Sequence, residues 1–166
     1  MGRKSQHRFH GGTDRFDVVA SFVADYFGNS IQYIADVAGG QGMLSRILNK
    51  KYNYESEVID PREHGLRGVP RQTAEYDAHM AGFYDLIIGL HPDEATRPVA
   101  ESALIRPVLV VPCCNFWAAE KLGRDELVNA IAHYYDQHDV DYERITLSFK
   151  GPKNIGLLSY PPPSPA

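Results

Sequence analysis

The chain has 166 residues, 43% hydrophobic and 23% charged, the make-up of one average globular domain. Seventeen basic against twenty-one acidic residues leave a formal charge of −4, which argues against a strongly electrostatic nucleic-acid binder while leaving room for a local basic patch. No stretch reaches the ~18 apolar residues of a membrane helix, and the polar, basic first eight residues do not read as a secretory signal. The two cysteines, Cys113 and Cys114, are adjacent and rarely meet disulfide geometry in that arrangement, so reduced thiols and a cytoplasmic location are expected.

Residues 1–12 (MGRKSQHRFHGG) lack periodicity and read as a basic, flexible arm. One domain is expected over 13–160, and 161–166, with four prolines, reads as a Pro-rich tail. Asp14 suits an N-cap, and Phe16, Val19, Ala20, Val23 and Phe27 mark the buried face of a first helix that Gly28 stops. A strand over 31–37, a glycine-rich turn, a helix from Met43 to about Lys51 and a strand over 56–60 form a β–loop–α–β unit. Between 62 and 82 the pattern weakens: a third strand is placed near Val69, and the best periodic piece is 73–80. Residues 84–90 (YDLIIGL) are a buried strand, after which Asp93 caps a helix to about Leu104. Residues 108–111 (VLVV) are another apolar run of the kind covered on both faces of a parallel sheet. A helix over 125–138 should turn Leu127, Ile131 and Tyr134 inward, and strands 142–149 and 155–160 flank a hairpin signal at 151–154.

Alternating strands and helices predict an α/β fold, a three-layer, Rossmann-like, mostly parallel sheet with a C-terminal antiparallel hairpin. Ligands of such sheets bind at the carboxyl ends of the strands. Those ends carry the unusual residues of this chain: 36–42, 60–62, 91–94 and 112–117. Gly39, Gly40 and Gly42 leave bare backbone next to a helix N-terminus, where a ligand can approach closely and amides can donate. Asp60, at the end of the next strand, can accept from two ribose hydroxyls. Together they read as a nucleoside-cofactor site, compatible with a dinucleotide or with S-adenosylmethionine.

The segment Asp36-Val37-Ala38-Gly39-Gly40-Gln41-Gly42 resembles motif I of the class I, seven-stranded S-adenosylmethionine-dependent methyltransferases, acid-x-G-x-G-x-G. Ala38 stands for the first glycine and Gly39 for the variable residue. The resemblance spans nearly the whole chain, since the closing hairpin also matches. It implies a methyltransferase with S-adenosylmethionine as cofactor. Asp36 would hold the methionine amino end, Ala38, Gly39, Gly40 and Gly42 the loop, and Asp60 the ribose, with Pro61 and Leu90 beside them. It also places His91-Pro92-Asp93-Glu94 where the methyl points. His91 would then be the base, with an ordinary pKa near ~6.5, and Asp93 its orienting partner. The plain alternative is that Asp93 is a cap and His91 a turn residue.

After the next strand, Asn115 and Phe116 can hydrogen-bond and stack an acceptor base. Cys113 and Cys114 with scattered histidines show no four-ligand spacing, so no metal is expected. Arg3, Lys4, His7, Arg8, His10 and Arg15 can meet phosphates, Arg8 among them as a substrate contact. The acceptor is therefore expected to be RNA, with tRNA as one candidate. Acceptor recognition falls to loops, the arm, a partner subunit or a second copy. The alternatives are a non-catalytic S-adenosylmethionine-binding scaffold subunit and a nicotinamide-dependent oxidoreductase.

Overall fold

The structure, a computed structural model, describes residues 14–151 and 153–164. Arg8 and the rest of the basic arm lie outside the described residues. Among the described residues, seven strands form a single sheet: β1 (Tyr33–Val37), β2 (Glu55–Ile59), β3 (Arg71–Gln72), β4 (Leu86–Leu90), β5 (Val108–Val111), β6 (Asp141–Thr146) and β7 (Ile155–Tyr160). Their order is β3-β2-β1-β4-β5-β7-β6. The first five strands in space are parallel, and β7 joins β5 and β6 antiparallel.

Side-chain alternation along the strands builds two cores. Ile34, Leu86, Ile88, Leu90, Leu109, Val111 and Leu158 face α1 (Asp14–Phe27) and α2 (Met43–Tyr52). Ala35, Val37, Ile87, Val108, Val110 and Leu157 face the opposite layer, with α3 (Thr96–Glu101) and α4 (Arg124–Gln137). Parallel strands covered on both faces explain why the central runs are continuously apolar. The five residues predicted for the α1 face are its buried residues. Full burial of a valine or phenylalanine on this face contributes roughly 1.5–3 kcal/mol.

The local differences have local causes. Asp14 is the first helical residue of α1 rather than a residue ahead of it. The third strand is only two residues long and lies just past Val69, because Gly65, Gly68 and Pro70 leave little regular backbone ahead of it. Of the 73–80 segment only 78–80 are helical, the first half of a 3-10 helix, Ala78–Phe83, whose N-cap Asp77 accepts from the His79 amide at 2.8 Å. Asp93 does not cap the next helix. It sits at φ +49, and the helical run from 93 to 104 is divided into 3-10, α and 3-10 pieces. On α4 the fully buried residue after Ile131 is Tyr135, four positions on, while Tyr134 packs partly buried against the same core. No described helix is long and apolar enough to cross a membrane.

Candidate functional site

The carboxyl ends of β1, β2 and β4 converge. Past Val37 the chain turns through Ala38 (φ +53) and Gly40 (φ +60) to Gly42 (φ +94), the N-cap of α2. Left-handed backbone is cheap only for glycine. At Gly42 it is also obligatory for space, because a Cβ there would lie 2.8 Å from Val69 Cγ1 and 3.0 Å from Val58 Cγ2. Asp36 is buried beneath the loop on the α2 side, where its Oδ2 accepts from Ser45 Oγ at 2.8 Å and from the Ser45 amide at 3.3 Å. Gly39 rests directly on that carboxylate, and a Cβ on Gly39 would stand 2.6 Å from it.

Burial pushes the Asp36 carboxyl up to about 6, against the pull of its Ser45 hydrogen bonds. An unfolded aspartate titrates near ~3.9, so between those values the folded protein holds a proton that the unfolded chain has lost. This group's stability contribution therefore improves as pH falls from about 6 toward about 4, and is least favourable above 6. Asp36→Asn keeps an acceptor for Ser45 and removes the charge. It is expected to stabilise the protein by about 2–3 kcal/mol at pH 7 and by much less at pH 4. Urea melts at the two pH values measure this, and an equal gain at both would contradict it.

Asp60, at the end of β2, is fully buried. Its Oδ1 accepts from the Arg62 amide and Arg62 Nε, each at 2.9 Å. Its Oδ2 accepts from the Gly40 amide at 2.9 Å and Arg62 Nη2 at 2.7 Å. Burial pushes this carboxyl up, but the Arg62 hydrogen bonds and the Gly40 amide outweigh it and hold the group below its ordinary value. Asp60 thus anchors the glycine loop, and both of its oxygens are engaged by Arg62, whose side chain is 66% exposed. Arg71 completes the brace, donating to the carbonyls of Gly40 and Arg62.

Beside this brace lies a cavity of about 630 Å³. Of the residues expected at the site, Ala38, Asp60, Pro61 and Asp93 line it. Leu90 does not, because its side chain belongs to the core under α1, and His91, Asn115 and Phe116 also lie outside its lining. Six further lining residues, Ile59, Arg62, Glu75, Tyr76, Ala95 and Pro98, had been given no role from the sequence. Arg62 had a signal, a base two residues after the acid at a strand end. Tyr76, whose hydroxyl meets Ser102 Oγ at 2.6 Å, had none.

The β4 and β5 loops arrange their residues differently from the expected pair. His91 Nε2 lies 2.8 Å from the Lys153 carbonyl, and its ring stands edge-on to Phe149. Burial pushes the imidazole below its ordinary value, against the raising effect of that carbonyl contact. Asp93 is engaged elsewhere: its Oδ1 accepts from the Cys113 thiol at 3.0 Å. Both His91 and Asp93 have left-handed backbone, which bends the turn and gives the two side chains separate partners. Asn115 braces its own loop, accepting from the amides of Trp117 and Ala118 and donating to the carbonyls of Ala118 and Glu120. Phe116 is 44% exposed.

The strand order and the reversed β7 define the seven-stranded class I methyltransferase fold. No family model and no curated protein matches the sequence. Solved structures do match. The sugar N-methyltransferase KedS8 from Streptoalloteichus superposes with a TM-score of 0.55 at 11% identity, over 97% of this chain and 99% of that one. A SAM-dependent methyltransferase from Archaeoglobus fulgidus gives 0.53 at 12%, over 87% and 93%. The 1,6-didemethyltoxoflavin-N1-methyltransferase of Burkholderia thailandensis, solved with its acceptor and S-adenosylhomocysteine, gives 0.51 at 14%, over 87% and 76%.

Proposed function

We propose that the chain is an S-adenosylmethionine-dependent methyltransferase acting on a small molecule. The observation that carries this is the glycine loop tied by its Gly40 amide to a buried acid, Asp60, at the switch point of a β3-β2-β1-β4-β5-β7-β6 sheet. The residues fit the cofactor. The loop has bare backbone, with open space over Gly40 that only Arg62 Nη2 approaches, and the cavity is of nucleoside size. When bound, the cofactor supplies an electrophilic methyl on a sulfonium. Asp60 receives the ribose hydroxyls once Arg62 swings toward solvent, while Asp36, expected at the methionine amino end, is buried under Gly39 against Ser45 and instead steadies the loop from below. Pro61 and Ala38 wall the cavity.

On the acceptor side, the Nε2–H of neutral His91 donates to the Lys153 carbonyl, which leaves the lone pair on Nδ1. That nitrogen takes the acceptor's proton as the acceptor attacks. Phe116 offers a face for a planar acceptor, and Asn115 is a positioning residue that shapes its loop. Glu75, Asp93 and Glu94 line the cavity against a single lining cation, Arg62, which Asp60 already pairs, and this acidic excess disfavours phosphate and so RNA. Two solved methyltransferases of similar fold carry small acceptors in their names, a sugar and 1,6-didemethyltoxoflavin. The free thiols suit a reducing compartment such as the cytoplasm.

Calorimetry with S-adenosylmethionine, S-adenosylhomocysteine and NAD is the direct test. The first two should bind and NAD should not. Labelled methyl transfer to extracts split into small-molecule and RNA fractions then identifies the acceptor class. His91→Ala should lower kcat by about 100-fold, the usual worth of a positioned base, and leave cofactor affinity within about twofold. In the wild type the rising limb of kcat/KM against pH should fall below the ordinary histidine value, since the unprotonated ring is the active form. A His91→Ala enzyme at full rate would move the base to another residue. Cofactor binding without any transfer would leave the scaffold reading.

A further inference from the structure

Cys113 follows β5, and Asp93 follows β4, twenty positions earlier in the chain. Adjacent parallel strands bring them together at the same sheet end. The Cys113 thiol donates to Asp93 Oδ1 at 3.0 Å. The Cys114 sulfur joins them, and the three donor atoms all lie within 4.8 Å of one another. Lys153 Nζ stands 3.6 Å from Cys114 Sγ.

We propose that Cys113 Sγ, Cys114 Sγ and an Asp93 carboxylate oxygen form a binding site for a thiophilic divalent cation of the zinc class, with water in the remaining position. Zinc–sulfur bonds of about 2.3 Å and zinc–oxygen bonds of about 2.0–2.2 Å put tetrahedral donors roughly 3.3–3.8 Å apart. The Cys113–Asp93 pair, at 3.0 Å, must open by a few tenths of an ångström, and the separations to Cys114 Sγ, none above 4.8 Å, need to close by at most about 1 Å. Cys114 is exposed and can supply that movement. Two thiolates and a carboxylate select a soft or borderline cation over magnesium or calcium, which prefer all-oxygen shells. The exchange is not a redox step. Two S–H protons leave to solvent, two S–metal bonds and one O–metal bond form, and the Cys113 to Asp93 hydrogen bond is replaced by coordination to a shared ion. Three anionic ligands on a dication leave one net negative charge, which the neighbouring Lys153 ammonium offsets. Because Asp93 also lines the cavity, the ion would sit in the wall of the site already described.

The test uses the full chain, reduced and stripped with chelator, then titrated with Co²⁺ as a spectroscopic probe and with Zn²⁺ as competitor. One equivalent of Co²⁺ should produce a thiolate-to-metal charge-transfer band, and Zn²⁺ should abolish it. Stoichiometric Zn²⁺ should protect both thiols from alkylation. The Cys113→Ser/Cys114→Ser double variant should lose the band, and Asp93→Asn, isosteric with the wild type, should weaken binding at least tenfold. The proposal is overturned if no band forms, if the thiols stay reactive at saturating Zn²⁺, or if Asp93→Asn binds as the wild type does. It does not rest on the methyltransferase reading, because cofactor affinity measured on the same preparations is a separate result.

Discussion

Asp60→Ala and Arg62→Ala are expected to move cofactor affinity in opposite directions. The Asp60 carboxylate accepts four hydrogen bonds, one of them from the glycine loop through the Gly40 amide. Alanine removes both the ribose acceptor and the loop's anchor. Loss of charge-assisted bonds, each worth about 1.5–3 kcal/mol, should weaken S-adenosylmethionine at least tenfold. Arg62 is different because it competes for the same oxygens. Its side chain is largely exposed, so solvent screening limits the ion pair to about 1 kcal/mol. Arg62→Ala should therefore tighten the cofactor by about fivefold. The pair of results separates two roles for the acid. If Asp60 were only a structural anchor for the loop, removing Arg62 would weaken binding or leave it unchanged. Calorimetry on both variants, with matched melts to check folding, decides it.

Gly39→Ala and Gly40→Val should separate the loop's structural role from its ligand role. A Cβ at Gly39 would overlap the buried Asp36 carboxylate at 2.6 Å, and Asp36 is pinned by Ser45. Overpacking of this kind costs about 1–3 kcal/mol, so Gly39→Ala should lower stability and lose the cofactor together. Shortening the partner as well, in Gly39→Ala/Asp36→Ala, should recover part of the stability, which a double-mutant cycle measures as coupling. Gly40 has room, its nearest neighbour being Arg62 Nη2 at 3.8 Å from a built Cβ, yet its φ is +60. Valine there meets no protein core. It should cost roughly 1–2 kcal/mol for the left-handed backbone while blocking the ligand's approach. A folded Gly40→Val protein that binds S-adenosylmethionine normally would show the loop to be only a turn.

Much of the fold is readable in the chain because its signals are local. The apolar spacing of Phe16, Val19, Ala20, Val23 and Phe27 is a helix face whatever surrounds it. The continuous run over 108–111 can sit only between two covering layers. The glycines of the first turn and the acid after β2 are likewise local consequences of bare backbone and strand ends. The sequence thereby determined the order of elements and the parallel sheet with its closing hairpin. Some site contacts are local, as Asp60 with Arg62 and Asn115 with its own loop, but those across the sheet were decided by tertiary structure, because their partners are far apart in the chain. Asp60 finds Gly40, Asp93 finds Cys113 rather than His91, and His91 finds Lys153 sixty-two residues on. No periodicity encodes such contacts. They exist only once the strands and the hairpin have been laid side by side, where burial favours paired polar groups.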